Sequence, residues 1–172
     1  MPQANIIKYK NKEPILSKNV FVAGGVYLIG NVDIGEDSSI WFNSVLRGDV
    51  NFIKIGKRTN IQDNSVVHVT DGGNPTIIGD DVTIGHSATI HACIIEDLCL
   101  IGMGATILDG AVIQKESLVG AGSVVPPGKT YPPGSLIVGS PAKVKRQLNE
   151  KERASLLESA IHYQEIVKSY LY

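Results

Sequence analysis

The chain has 172 residues, a formal net charge of −1 and two cysteines. That balance gives no clustered basic surface for nucleic acid, and two cysteines make no disulfide framework. No apolar run reaches the length of a membrane span, and Met1–Pro14 is too polar for a secretory signal, so the expected location is cytoplasmic.

Glycine is abundant, with 18 residues, and only 6% of the chain is aromatic. With many Ile and Val, that mixture points to short strands joined by tight turns and prompts a search for a repeat. Stepping by six from Val22 gives Leu28, Ile34, Ile40, Leu46 and Phe52. Further series run Ile55, Ile61, Val67, then Ile78, Ile84, Ile90, then Ile95, Ile101, Ile107, Ile113, Val119, Val125, and last Val138, Val144. All twenty positions are aliphatic or Phe, although those residue types make up roughly a third of the chain. Period six is neither helical nor the alternation of a simple strand. It predicts a triangular coil in which each hexad supplies one short strand and one corner, with the aliphatic residue stacked about 4.8 Å above its equivalent.

The breaks are also informative. The step from Val67 to Ile78 is eleven and takes in Thr70-Asp71-Gly72-Gly73-Asn74-Pro75, which reads as a short protruding loop. From Ile90 to Ile95 the step is five, so one corner is tightened. Pro126-Pro127-Gly128 and Pro132-Pro133-Gly134 are expected to end the regular coils, with Val138–Val144 as a closing segment. The β-coil unit is expected over 1–148 and a packed helix over 149–172. Asn149 serves as the helix N-cap and Glu152 at N3 completes a capping box. Its expected apolar face is Leu156, Leu157, Ala160, Ile161, Val167 and Leu171, interrupted by Gln164.

Chemistry concentrates in three of the four histidines; His162, in the last helix, reads as ordinary surface. His68 follows rung Val67 and His91 follows rung Ile90. With the loop set aside, both occupy one corner on adjacent coils, about one strand spacing apart. Two imidazoles so placed can converge on one ion at about 2.0–2.1 Å each. His86, two past Ile84, lies on a different side of the triangle and cannot easily point at the same place within one subunit; a neighbouring copy could supply it. A lone histidine is more often structural or solvated; two in phase on stacked coils favour a metal. Three nitrogen ligands with an open position describe a catalytic site. Cys93 and Cys99 read as packing within adjacent hexads.

Asn60-Ile61-Gln62-Asp63 followed by His68, then Ile84-Gly85-His86 and Ile90-His91-Ala92-Cys93, with Leu46-Arg47-Gly48-Asp49 upstream, resemble the γ-class carbonic anhydrases. The resemblance implies an all-β, left-handed parallel β-helix of hexapeptide repeats with a C-terminal helix, assembled as a homotrimer. It implies Zn²⁺, with Fe²⁺ or Co²⁺ as alternatives, held at subunit interfaces by His68 and His91 of one subunit and His86 of the next. The implied reaction is hydration of CO₂ to bicarbonate by water that the metal acidifies to a pKa of about 7. Gln62 would orient water or CO₂, with Asn60 in support. Arg47, Asp49 and Asp63 would form a charge cluster at the subunit boundary, the bland reading being surface ion pairs. Tyr163 resembles a tyrosine near the site in relatives, or simply packs the helix. The chain departs from family members with an acidic loop: Val50 follows Asp49, and Asp71 is the only nearby carboxylate that could carry protons. That truncation predicts slow turnover or another reaction. Competing readings are a hexapeptide-repeat acyltransferase, a metal-dependent acyl-CoA thioesterase and a non-catalytic trimeric scaffold.

Overall fold

The computed structural model describes residues 3–171. Short parallel strands, most of two or three residues, wind into a β-helix of about seven turns. Register defines three columns of inward side chains. One holds Leu28, Leu46, Val67, Ile90, Ile107 and Val125. The second runs Leu16, Ile34, Ile55, Ile78, Ile95, Ile113 and Tyr131. The third runs Val22, Ile40, Ile61, Ile84, Ile101, Val119 and Ile137. From Ile34 to Ile113 every member of these columns is at most 2% exposed. Burying one such side chain is worth roughly 1.5–3 kcal/mol. Strand hydrogen bonds run between coils, so no coil is stable alone.

The corners require left-handed backbone. Asn43, Asn64 and Ser87, with φ of 60°, 59° and 58°, stack at the corner after the third column, and Gly104 and Gly122 continue the row. Asn, Ser and Gly tolerate that region better than bulkier residues. Ser87 makes this turn directly after His86, which places His86 on an outer edge with 43% of its side chain exposed.

The six-residue ladder holds with three corrections. Phe52 is 38% exposed, while Ile53 is buried and pairs with Val32 and Thr76. The cause is a nine-residue step from Leu46 to Ile55, carried by one long strand, Val45–Ile55. The Pro-Pro-Gly segments do not end the coils, because Tyr131 and Ile137 continue two columns at unbroken spacing. Proline is tolerated there because it sits in the turns, outside the ladder bonds. Val138 and Val144 are not rungs: they lie in an antiparallel pair, Ser135–Gly139 with Ala142–Gln147, which blocks further parallel stacking.

The helix Glu150–Leu171 lies along the third column's outer face. Its capping box is reciprocal: Glu152 N donates to Asn149 Oδ1 and Asn149 N to Glu152 Oε2, each at 2.9 Å. The buried stripe differs from the expected one. Leu156 and Ala160 are buried, and Tyr163, Ile166 and Val167 pack on the core, while Leu157, Ile161 and Leu171 are exposed. Aromatic packing sets that rotation. Trp41 meets Tyr163 edge-on at 5.5 Å, Tyr170 at 5.4 Å and Phe21 at 5.2 Å. Each such pair adds roughly 0.5–1.5 kcal/mol beyond burial. No helix among the described residues is long and apolar enough to cross a membrane.

Ile101→Ala removes a side chain stacked between Ile84 and Val119 and should cost about 2–5 kcal/mol in urea unfolding. The hydrogen bonds from Arg146 and then Asn149 N lower the Glu152 carboxyl from its ordinary 4.5 to about 2. A depressed carboxylate stabilises fully above its unfolded value and loses that contribution as pH falls through its folded value. Glu152→Gln should therefore lower the thermal midpoint at pH 7, and the difference should close between pH 4.5 and 2.

Candidate metal centre

His68 and His91 face each other across adjacent coils. Strand Val66–His68 pairs with Thr89–His91 so that Val67 meets Ile90 and His68 meets His91. The rings lie 5.1 Å apart, with His68 Nδ1 3.1 Å from His91 Nε2. The other nitrogen of each ring faces a carboxylate. His68 Nε2 is 3.1 Å from Asp49 Oδ1, and His91 Nδ1 is 2.7 Å from Asp109 Oδ1. An ionised carboxylate only accepts, so these two ring nitrogens carry protons. In the neutral rings the remaining lone pairs then point at one another, an arrangement that needs a cation or a shared proton between them. Two ligands of a tetrahedral ion at 2.0–2.1 Å stand roughly 3.3 Å apart, close to the spacing observed. The donor set fits a metal, and carboxylates behind the imidazoles are what metal-ligating histidines use to fix ring orientation.

Burial acts to raise the Asp49 carboxyl, but hydrogen bonds from Arg47, at 2.5 Å, and from His68 outweigh it and leave it below the usual range. The Thr70 hydroxyl, and after it His91, holds the Asp109 carboxyl low against partial burial. Both carboxylates are therefore charged at neutral pH.

His86 stands apart from this pair within the chain, as its phase implied. Its Nδ1 is 2.7 Å from Asp63 Oδ2. Asn60 and Gln62 are buried on the adjoining strand, with Gln62 Nε2 donating to Asn60 Oδ1 at 3.1 Å. Asn60 Nδ2 donates to Thr83 Oγ1 at 2.9 Å, and Thr83 Oγ1 to the helix residue Ser159 at 3.2 Å. Tyr163 joins this side: burial pushes its hydroxyl up, and the Asp63 carboxylate adds to the shift. Beside Gln62 opens a groove of about 300 Å³ lined by Leu100, Met103, Leu118 and Ser159. The two groups of side chains lie apart, and among the described residues no group of three or more His, Cys, Asp or Glu is placed to hold an ion within one chain.

Within one chain Arg47 and Asp49 lie on the His68 side and Asp63 on the His86 side, so the charge cluster expected at a subunit boundary would need a second copy to form. Asp71 lies exposed in the turn after His68, with no hydrogen bond to any histidine among the described residues. Asp109, Thr70, Thr83 and Ser159 were not anticipated. A count of eighteen residues on from His91, one coil's length, would have found Asp109.

Residues 75–91 and 92–127 match the family model described as hexapeptide repeat of succinyl-transferase. The chain is 47% identical to gamma carbonic anhydrase 1, mitochondrial, of Arabidopsis thaliana, over 93% of this chain and 60% of that one. It is 50% identical to a carbonic anhydrase of Geobacillus kaustophilus, covering 86% and 80%. Among solved structures it is similar to a hexapeptide transferase family protein from Anaplasma phagocytophilum, at 41% identity, TM-score 0.93 and coverage of 96% and 98%. The parallel coil and its facing imidazoles define a hexapeptide-repeat protein with a histidine-lined edge. The chain belongs to the γ-carbonic-anhydrase-like family of that class. It spans about three-fifths of the length of the plant relative it matches.

Burial pushes the thiols of Cys93 and Cys99 up to about 12. Neither should react with a thiol reagent at pH 8 in the folded protein, and both should react in denaturant; rapid labelling in buffer would contradict their placement inside the coils.

Proposed function

We propose that the chain is a metal-dependent carbonic anhydrase hydrating CO₂ to bicarbonate, working as a homotrimer with its sites between subunits. The observation that carries this reading is the facing pair His68 Nδ1 and His91 Nε2, each ring backed by a carboxylate. His68 and His91 of one subunit and His86 of the next would hold the ion, Zn²⁺ or alternatively Fe²⁺ or Co²⁺. Bound there, the ion supplies acidified water at neutral pH.

The chain's own groups do the rest. Asp49 and Asp109 orient the two imidazoles, and Asp63 orients His86. Gln62, held by Asn60, presents an amide beside the groove and orients the CO₂ oxygens; its position on the His86 half-site brings it to the ion only when subunits meet. Arg47 neutralises Asp49 and offers its outer N–H groups to the anionic product. Tyr163 fixes the helix on Trp41 and screens the Asp63 edge. Among the described residues Asp71 has no partner linking it to the centre, so protons leave through buffer.

A second reading, hydrolysis of an acyl thioester by the same centre, is favoured by the groove beside Gln62, which is far larger than CO₂ needs. A hexapeptide-repeat acyltransferase would use one histidine as general base, and leaves the facing pair unexplained.

His86→Ala should abolish metal retention and leave the circular dichroism of the coil unchanged; full metal content in that variant would refute a shared centre. Reassembled mixtures of His86→Ala and His91→Ala subunits should recover part of the metal. Stopped-flow CO₂ hydration on protein loaded separately with Zn²⁺ and Fe²⁺ under anaerobic conditions, set beside acyl-CoA hydrolysis, decides between the two reactions. Turnover in CO₂ hydration should rise with imidazole buffer concentration; a rate independent of buffer would show an internal proton path.

A further inference from the structure

The loop after His68 is short and is tied down at several points. Asn51 Nδ2 donates to Thr70 O at 3.2 Å and to Gly73 O at 3.0 Å. Thr76 Oγ1 donates to His68 O at 2.5 Å. The Thr70 hydroxyl donates to Asp109 Oδ2, and the other oxygen of that carboxylate accepts from His91 Nδ1. The base of the loop therefore reaches past the coil carrying His91 and grips the carboxylate behind that ring.

A neutral imidazole has two tautomers of similar energy and can turn about its χ2 bond. His91 has 31% of its side chain exposed, so packing alone does not hold its orientation. A carboxylate on Nδ1 selects one tautomer and one ring direction. We propose that Asp109, held by Thr70, is a positioning residue that keeps the His91 proton on Nδ1 and so keeps the Nε2 lone pair turned toward His68. The proposal rests on the metal reading above and extends it, because the shortened loop then serves to clamp a ligand. Asp49 does the same for His68 from the preceding coil, through its bond to Nε2. The two imidazoles are thus braced from opposite directions.

The test uses Zn²⁺ and Co²⁺ as probes on the purified full chain, comparing wild type with Asp109→Ala, Asp109→Asn, Thr70→Val and His91→Ala. Loss of a carboxylate behind a metal-ligating histidine typically costs 10–100-fold in affinity. Zinc release to a chelator should accelerate by about that factor in Asp109→Ala. Asp109→Asn keeps an acceptor oxygen without the charge and should fall between the two. Thr70→Val should give a smaller acceleration, and the Asp109→Ala/Thr70→Val double variant should be no worse than Asp109→Ala alone, since both cut one chain of contacts. The visible spectrum of the Co²⁺ form should change in Asp109→Ala, while the thermal midpoint of the metal-free protein holds. If His91→Ala loses zinc but Asp109→Ala and Asp109→Asn release it at the wild-type rate, the positioning role is wrong and the centre stands. If His91→Ala retains zinc as well as wild type, the centre is wrong and the positioning role falls with it. A lowered thermal midpoint in the Asp109 variants, with unchanged zinc release, would reduce Asp109 to a structural tie.

Discussion

The pairing of strand Val66–His68 with strand Thr89–His91 is the constraint on which the candidate centre depends. A slip of one residue in a parallel ladder turns every side chain to the other face. Here Val67 and Ile90 are both buried, so a slip would expose two core side chains and drive two imidazoles inward. The hydrophobic columns thus fix the distance between His68 and His91, although neither ring belongs to a column. Two irregularities on this edge keep the register while making room for the site. The loop between Val69 and Thr76 absorbs the extra residues after His68, and the left-handed turn at Ala92, with φ of 48°, shortens the step after His91.

Electrostatics follow from the same stacking. Asp49, His68, His91 and Asp109 come from successive coils and read in that order along the edge, carboxylate, imidazole, imidazole, carboxylate. Two carboxylates at the ends of a row of two imidazoles make a site whose charge favours a cation between the rings. Arg47 offsets one end at the outer rim, where its guanidinium is half exposed and its pairing with Asp49 contributes little to stability by itself. The opposite edge is built differently. Asn60, Gln62 and Thr83 are buried amides and a hydroxyl joined to the helix through Ser159, a rigid neutral network suited to orienting a small molecule.

Much of this was legible before the structure because a six-residue period survives in plain sequence. Leu28 to Leu46, and Ile55 to Val125, could be placed on their columns by counting, and with them the shared corner of His68 and His91. Counting failed where the chain inserts without a turn signal: Phe52 keeps the period, but three extra residues within an uninterrupted strand hand the inward role to Ile53 and Ile55. It failed again at the proline pairs, which look like terminators and are corner residues of one more coil. The helix stripe was misjudged because aromatic side chains at Tyr163 and Tyr170, set against Trp41, outrank Leu157, Ile161 and Leu171 in fixing its rotation. Asp109 escaped because a lone aspartate between Leu108 and Gly110 looks like any turn residue; only the partner across the coil gives it meaning.

The helix Glu150–Leu171 returns along the whole stack, from the last turns near Glu116 to the first turns at Phe21. Its far end is seated on Trp41, the single tryptophan of the chain, through Tyr163 and Tyr170. One indole therefore sits at the seam between the early coils, beside Phe21 of the preceding one, and the helix Glu150–Leu171. Its emission is a built-in gauge of whether the helix is seated on the coils, and it needs no added dye.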